Sequence, residues 1–132
     1  MTIKLIFALA VIVSLTAPTG CLRPETREFT ARDSGRTVTL PIGTHFTVRL
    51  ASNVSTGYGW QLTALDQAVV RNTGNHYIAP EAPLPGAGGV EEWDFAVQAT
   101  GTTTLEMEYR RPWEQGAPPV DTFELTVVVT DA

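Results

Sequence analysis

Few side chains in this sequence stand at spacings that could do chemistry. His45 and His76 fall in different predicted strands, and the single cysteine, Cys21, lies ahead of the folded region. A zinc site needs three or four His, Cys, Asp or Glu ligands converging on one point. No such cluster is spelled out here, so no metal is expected. His45 lies on the polar side of its strand and reads as a surface residue. Ser55, His76 and Asp66 supply the residue types of a hydrolytic triad, yet Ser55 stands in Asn53-Val54-Ser55-Thr56-Gly57, which is not a nucleophile elbow. Gly86, Gly88 and Gly89 precede a predicted strand rather than a helix, and no lysine follows them, so they do not form a phosphate loop. Asn53-Val54-Ser55 also matches the acceptor pattern for N-glycosylation, a reading that loses force beside the bacterial-type export signal described below. The chain is expected neither to be an enzyme nor to carry a cofactor.

Three uncharged or aromatic loops remain, and their chemistry is that of binding. Asn53 to Trp60 is uncharged and runs into an aromatic strand. Pro85-Gly86-Ala87-Gly88-Gly89 is nearly bare of side chains. Tyr109-Arg110-Arg111-Pro112-Trp113 leaves a strand with an aromatic where a hairpin tip is ordinarily polar. A narrow Gly-rich loop can enter a cleft and bond through its backbone. Trp and Arg are among the commonest hot-spot residues at interfaces, and loops on a rigid scaffold are the usual place for such residues.

The scaffold that must position these loops is written in period-two alternation. Predicted strands cover Arg36–Leu40, Thr44–Ala51, Tyr58–Thr63, Glu92–Ala99, Thr102–Arg110 and Phe123–Thr130, with a short strand around Asn75–Ile78. Phe46, Val48 and Leu50 share one face of the second, and Trp60 and Leu62 point inward from the third. Trp93, Phe95 and Val97 face Thr103, Leu105, Met107 and Tyr109 as inward rows, completed by Phe123, Leu125, Val127 and Val129. Pro80, Pro83, Pro85 and the glycines at 86–89 make residues 79–89 a loop. No stretch of this part reads as an amphipathic helix. The prediction is all-β, an immunoglobulin-like antiparallel sandwich without an internal disulfide, because one cysteine cannot make one.

Composition narrows the partners. The chain has 132 residues, 43% hydrophobic and 17% charged, with a net charge of −5. That is neither a disordered chain nor a nucleic-acid binder. Leu5 to Leu15 is apolar at every position but Ser14, follows Lys4, and leads through Ala17-Pro18-Thr19-Gly20 to Cys21. Eleven residues are too few for a bilayer-spanning helix, which takes roughly 20. The pattern is that of a secretory signal peptide over residues 1–20, cleaved before Cys21. Cleavage would leave 112 of the 132 residues and a net charge of −6, from eight Arg against 14 Asp and Glu. The junction resembles the lipobox of bacterial lipoproteins, although Pro18 stands where leucine is usual, so Cys21 is a candidate lipid attachment point. The expected organisation is a signal peptide, a polar leader over 21–28 and one domain over 29–132. The expected location is the cell envelope, lipid-anchored, or the exterior as a secreted protein. Membrane contact would come only through a lipid on Cys21.

Taken in order, the three loops resemble the chagasin family of cysteine peptidase inhibitors, whose pattern is Asn-Pro-Thr-Thr-Gly-Tyr/Phe with a Trp following, then Gly-x-Gly-Gly, then Arg-Pro-Trp/Phe. Asn53, Ser55, Thr56, Gly57 and Tyr58 match the first, with Trp60 after them; Gly86, Gly88 and Gly89 match the second; Arg111, Pro112 and Trp113 match the third. Val54 stands for the family's proline and Ser55 for its first threonine. The resemblance implies a wedge of three loops at one end of the sandwich, blocking the active-site cleft of a papain-family cysteine peptidase reversibly, with the loop of Thr56 over the catalytic cysteine. It implies that the other two loops clamp either side of the cleft. Losing the proline frees a φ angle, and the first loop is expected to be less pre-organised for it. The alternative is an exported, non-inhibitory binding module that kept the fold and the loops.

Overall fold

A computed structural model describes residues 26–131 apart from Pro83, Pro85 and Gln115. The proposed signal peptide, Cys21 and the leader up to Glu25 lie outside the described residues.

Eight strands follow one another: β1 (Thr26–Thr30), β2 (Arg36–Pro41), β3 (His45–Ser52), β4 (Gly59–Ala64), β5 (Val70–Ile78), β6 (Gly89–Val97), β7 (Gly101–Arg110) and β8 (Asp121–Thr130). Helical structure among the described residues is limited to two single 3-10 turns, Ala31–Asp33 and Val54–Thr56. The strands form two four-stranded sheets, in the orders β1-β3-β6-β5 and β2-β8-β7-β4, an immunoglobulin-like sandwich.

The alternating residues fill the space between the sheets. Phe46, Val48, Leu50, Phe95, Leu105, Met107, Phe123, Leu125 and Val127 are almost wholly buried. Phe46 stacks on Phe95 across β3 and β6 at 5.0 Å between ring centroids, and Phe29 meets Phe46 edge-on at 5.6 Å. Each such aromatic removes on the order of 150–250 Å² from water. This core does the holding that disulfides do in small cysteine-rich domains.

The structure corrects the sequence-based reading in its topology. Both sheets are mixed, because β1 pairs with β3 in parallel and β2 pairs with β8 in parallel, while the other pairings are antiparallel. The cause lies in the corners. Between β1 and β2, and again between β2 and β3, the chain reverses and also changes sheet. Two reversals return β3 to the sheet of β1 in the same direction. Gly35 (φ 86°) and Gly43 (φ 91°) sit at these corners with the positive φ that tight reversals require. Alternation reports which residues face inward and says nothing about direction.

Two strands are also longer than predicted or unforeseen. Thr26–Glu28, read from the sequence as the end of a polar leader, lie in β1, where Thr26 is paired with His45. β5 runs for nine residues rather than four, with a bulge between Asn72 and Gly74. There the Asn72 side-chain amide donates to the carbonyls of Gly74 and Asp94, binding the irregular stretch to its neighbour. Gly89, predicted in the loop, opens β6 opposite Ser52.

Candidate functional site

The register places three connections at one pole of the sandwich. β3 ends at Ser52 opposite the start of β6 at Gly89, β4 begins at Gly59 opposite Arg110 at the end of β7, and Tyr109 faces Asp121 at the start of β8. Residues 53–58, 79–88 and 111–120 therefore leave the strands on the same side. All eleven residues singled out for binding lie in these connections or, in the case of Gly89, at their edge.

The first loop closes on itself. Asn53 caps the 3-10 turn: its side-chain oxygen accepts from the Ser55 amide at 3.2 Å and from the Ser55 hydroxyl at 2.6 Å. The Asn53 carbonyl accepts from the Thr56 amide (3.2 Å) and hydroxyl (2.6 Å). The Gly57 amide donates to the Val54 carbonyl at 3.1 Å, and Gly57 takes φ 79°, the left-handed conformation that ends the turn. Serine at position 55 keeps the hydroxyl that this capping uses. Val54 sits at the tip, 54% exposed.

In the second loop the Leu84 amide donates to the Ala82 carbonyl and the Ala87 amide to the Leu84 carbonyl, with Gly86 at φ 83°. These two turns hold Leu84 outward, 70% exposed. Gly89 has no room for a side chain, since a Cβ there would overlap the Ile78 carbonyl and the Tyr77 ring. In the third loop the Glu114 amide donates to the Arg111 carbonyl, and Pro112 and Trp113 are exposed at the tip.

Side chains then lash the loops together. The Asn53 amide nitrogen donates to the Gly86 carbonyl at 3.1 Å, joining the first loop to the second. Arg111 Nε donates to the Thr56 carbonyl at 3.0 Å, joining the third to the first. The Arg111 guanidinium lies 4.4 Å from the Tyr58 ring centroid and is steadied by Glu114 at 3.1 Å. The Trp113 ring lies against Gly57 so closely that a Cβ on that glycine would overlap it. Beneath them Tyr109 stacks on Trp60 at 5.0 Å and meets the Tyr58 ring at a tilt at 5.4 Å, and its hydroxyl accepts from the Asn53 backbone amide at 2.9 Å. Trp60 is buried, its indole N–H on the Ala51 carbonyl and its amide on the Glu91 carboxylate.

Sequence reasoning missed Tyr109 as an organiser of the site, because its inward parity marks it as core. It also passed over Leu84 and read Val54 only as a replacement for proline, although both are exposed apolar side chains in loops. The residue types of a triad are not assembled. The Ser55 hydroxyl is bonded to Asn53, Asp66 accepts from the Ala68 amide, and His76 faces Glu92 at 2.8 Å. Among the described residues no group of three or more His, Cys, Asp or Glu is placed to hold a metal ion.

The comparisons with known proteins decide what this pole is part of. The family model described as chagasin family peptidase inhibitor I42 matches residues 39–127, well over half of the chain. The chain belongs to the chagasin family. Chagasin of Trypanosoma cruzi is 31% identical over 102 residues, covering 74% of this chain and 91% of that protein. The crystal structure of the cysteine protease inhibitor EhICP2 from Entamoeba histolytica superposes with a TM-score of 0.70 at 24% identity, covering 80% of this chain and 95% of that one. PbICP-C, solved in complex with falcipain-2, gives a TM-score of 0.60 at 17% identity, covering 84% and 95%. At those identities the two structures speak for the chagasin fold. The family match spans all three loops whole, so the bonds described above connect chagasin-family loops to one another.

Proposed function

We propose that this chagasin-family chain is a reversible protein inhibitor of papain-like cysteine peptidases, which it blocks by inserting the loops 53–60, 86–89 and 109–113 into the active-site cleft. The observation that carries the reading is the lashing of the three loops into one body by Asn53 and Arg111. A wedge held in one conformation before binding loses less entropy on docking. Its leading loop is uncharged and presents small groups at Ser55, Thr56 and Gly57, as entry into a narrow cleft requires. Val54 at its tip, and Leu84 and Trp113 beside it, offer exposed apolar surface. A complex of this kind buries on the order of 1,600 Å². No covalent chemistry is asked of the inhibitor.

Titration of papain and cathepsin L with the purified protein tests this. Inhibition at micromolar concentration or below that is reversed by dilution is the expected result. Full peptidase activity at that concentration would leave only an exported binding module.

The same proposal extends to location. Lys4, the apolar run Leu5 to Leu15 and the small residues before Cys21 support export with a lipid on that cysteine. A Cys21→Ser variant is expected to leave the membrane fraction; an unchanged membrane-bound share would refute the anchor.

A further inference from the structure

A loop that enters a peptidase cleft is also a potential substrate, and the bond at greatest risk is the one beside the smallest side chain at the exposed turn, Thr56–Gly57. We infer that Arg111 is the positioning residue that keeps this bond from being cut. The inference rests on the reading that residues 53–58 enter the cleft.

Cleavage would need the peptidase thiolate to form a C–S bond at the Thr56 carbonyl carbon while the carbonyl pair moves onto its oxygen. That oxyanion must lie in a hole of donors supplied by the peptidase. The Gly57 nitrogen would then leave with a proton from the peptidase imidazolium, and water would hydrolyse the thioester to a Thr56 carboxylate, restoring the thiol. Every step depends on the Thr56 oxygen turning toward the peptidase.

Here that oxygen is already committed. Arg111 Nε holds it at 3.0 Å, aimed back at the inhibitor's own third loop. The guanidinium cannot easily swing away, because its face rests on Tyr58 and its Nη1 donates to the Glu114 carboxylate at 3.1 Å. A guanidinium N–H would itself favour an oxyanion at this atom, but here it draws the oxygen away from the peptidase's own donors, so the carbonyl carbon meets the thiolate outside the alignment that attack requires. The neighbouring groups add to the same effect. Gly57 is in a left-handed turn rather than the extended form a cleft aligns for attack, and the Trp113 ring lies over it. Arg111 thus does more than tie two loops together: it withholds the oxygen on which hydrolysis turns.

The test incubates papain with the purified protein, Arg111→Ala and Arg111→Lys, and follows both residual activity and intact mass. The unaltered protein should inhibit and stay whole. Arg111→Ala, having lost a tie between loops, should inhibit more weakly and, at a concentration that saturates papain, should be cut after Thr56 at a rate about ten- to a hundred-fold above the unaltered protein, the equivalent of one hydrogen bond to a charged group. Arg111→Lys keeps a cation on Tyr58 but lacks the fork that reaches Thr56 and Glu114 together; it should fold and be cut at the same single bond. A merely structural role would scatter cuts along the chain instead of confining them to Thr56–Gly57. If both variants inhibit and stay whole, or if neither is cut preferentially at that bond, the inference is overturned while the inhibitor reading stands. If the unaltered protein fails to inhibit papain and cathepsin L, the inhibitor reading itself fails and this inference falls with it.

Discussion

Gly57 is the position where a single methyl group should reveal how the wedge is held. Its φ of 79° is a left-handed conformation, and a Cβ built there would overlap the Trp113 ring. Gly57→Ala therefore carries two separable costs. The backbone term for a non-glycine residue in this conformation is roughly 1–2 kcal/mol. The second term is the displacement of Trp113, a solvent-exposed ring that can move but then leaves its place over the first loop. If Trp113 is an interface anchor, losing its position costs about 2 kcal/mol of binding. Only this second term weakens inhibition, by about 2 kcal/mol or roughly 30-fold, because the backbone strain is present in the folded chain before and after docking and cancels. In thermal unfolding only the backbone term should register, at about 4–8 °C for a domain of this size. The decisive assay is a double-mutant cycle with Trp113→Ala, read as inhibition constants against papain. In the Trp113→Ala background the methyl has nothing to strike, so Gly57→Ala should cost no further inhibition and the two changes should be coupled by about 2 kcal/mol. Additive effects would refute the claim that Gly57 is glycine in order to admit the tryptophan. An unchanged melting temperature together with unchanged inhibition would refute the strain argument as well.

Two further outcomes follow from the scaffold. Phe46→Ala removes a fully buried ring stacked on Phe95 and should lower unfolding free energy by about 3–5 kcal/mol, measured as a shift of the denaturant midpoint at unchanged slope. Asp33 accepts the Thr30 amide at 2.9 Å and pairs with Arg36, and these hold its carboxyl below the ordinary value, the backbone bond being the larger cause. The sign is that of a depressed acid: the contribution is complete above the unfolded value of about 3.9 and is lost as pH falls through the folded one. Asp33→Asn should therefore flatten the loss of stability on acidification below about pH 4, and an acid limb identical to the parent would contradict it.

What could be read from the chain depended on whether a residue's own type carries the information. Strands with one buried face announce themselves, as β3, β6, β7 and β8 do through Phe46, Trp93, Leu105 and Phe123. Strands that bury a single side chain do not. β1 buries only Phe29, and β5 buries only Val70 at its start, so neither has an alternation to detect. The loop motifs were visible because glycine, proline and tryptophan are unusual where they stand. The bonds that organise those loops were not, because Asn53 and Arg111 reach backbone carbonyls, of Gly86 and Thr56, and a carbonyl acceptor has no residue type. Tyr109 was hidden for a related reason: the same inward position serves a packed ring and a hydroxyl that reaches the Asn53 amide.

The parallel pairing of β1 with β3 has a consequence for how the molecule can be carried. β3 runs from His45 to the loops, and Thr26 lies beside His45, so the chain enters the sandwich at the pole away from them. β8 finishes at that same pole, where the Thr130 carbonyl accepts from the Ile42 amide. Eight residues of strand at about 3.4 Å each separate this end from the working one. Attachment through either flank, to a surface, a bead or a neighbouring domain, thus holds the three loops outward at a stand-off of roughly 27 Å. The described unit has the geometry of a plug-in head, with both leads at its back.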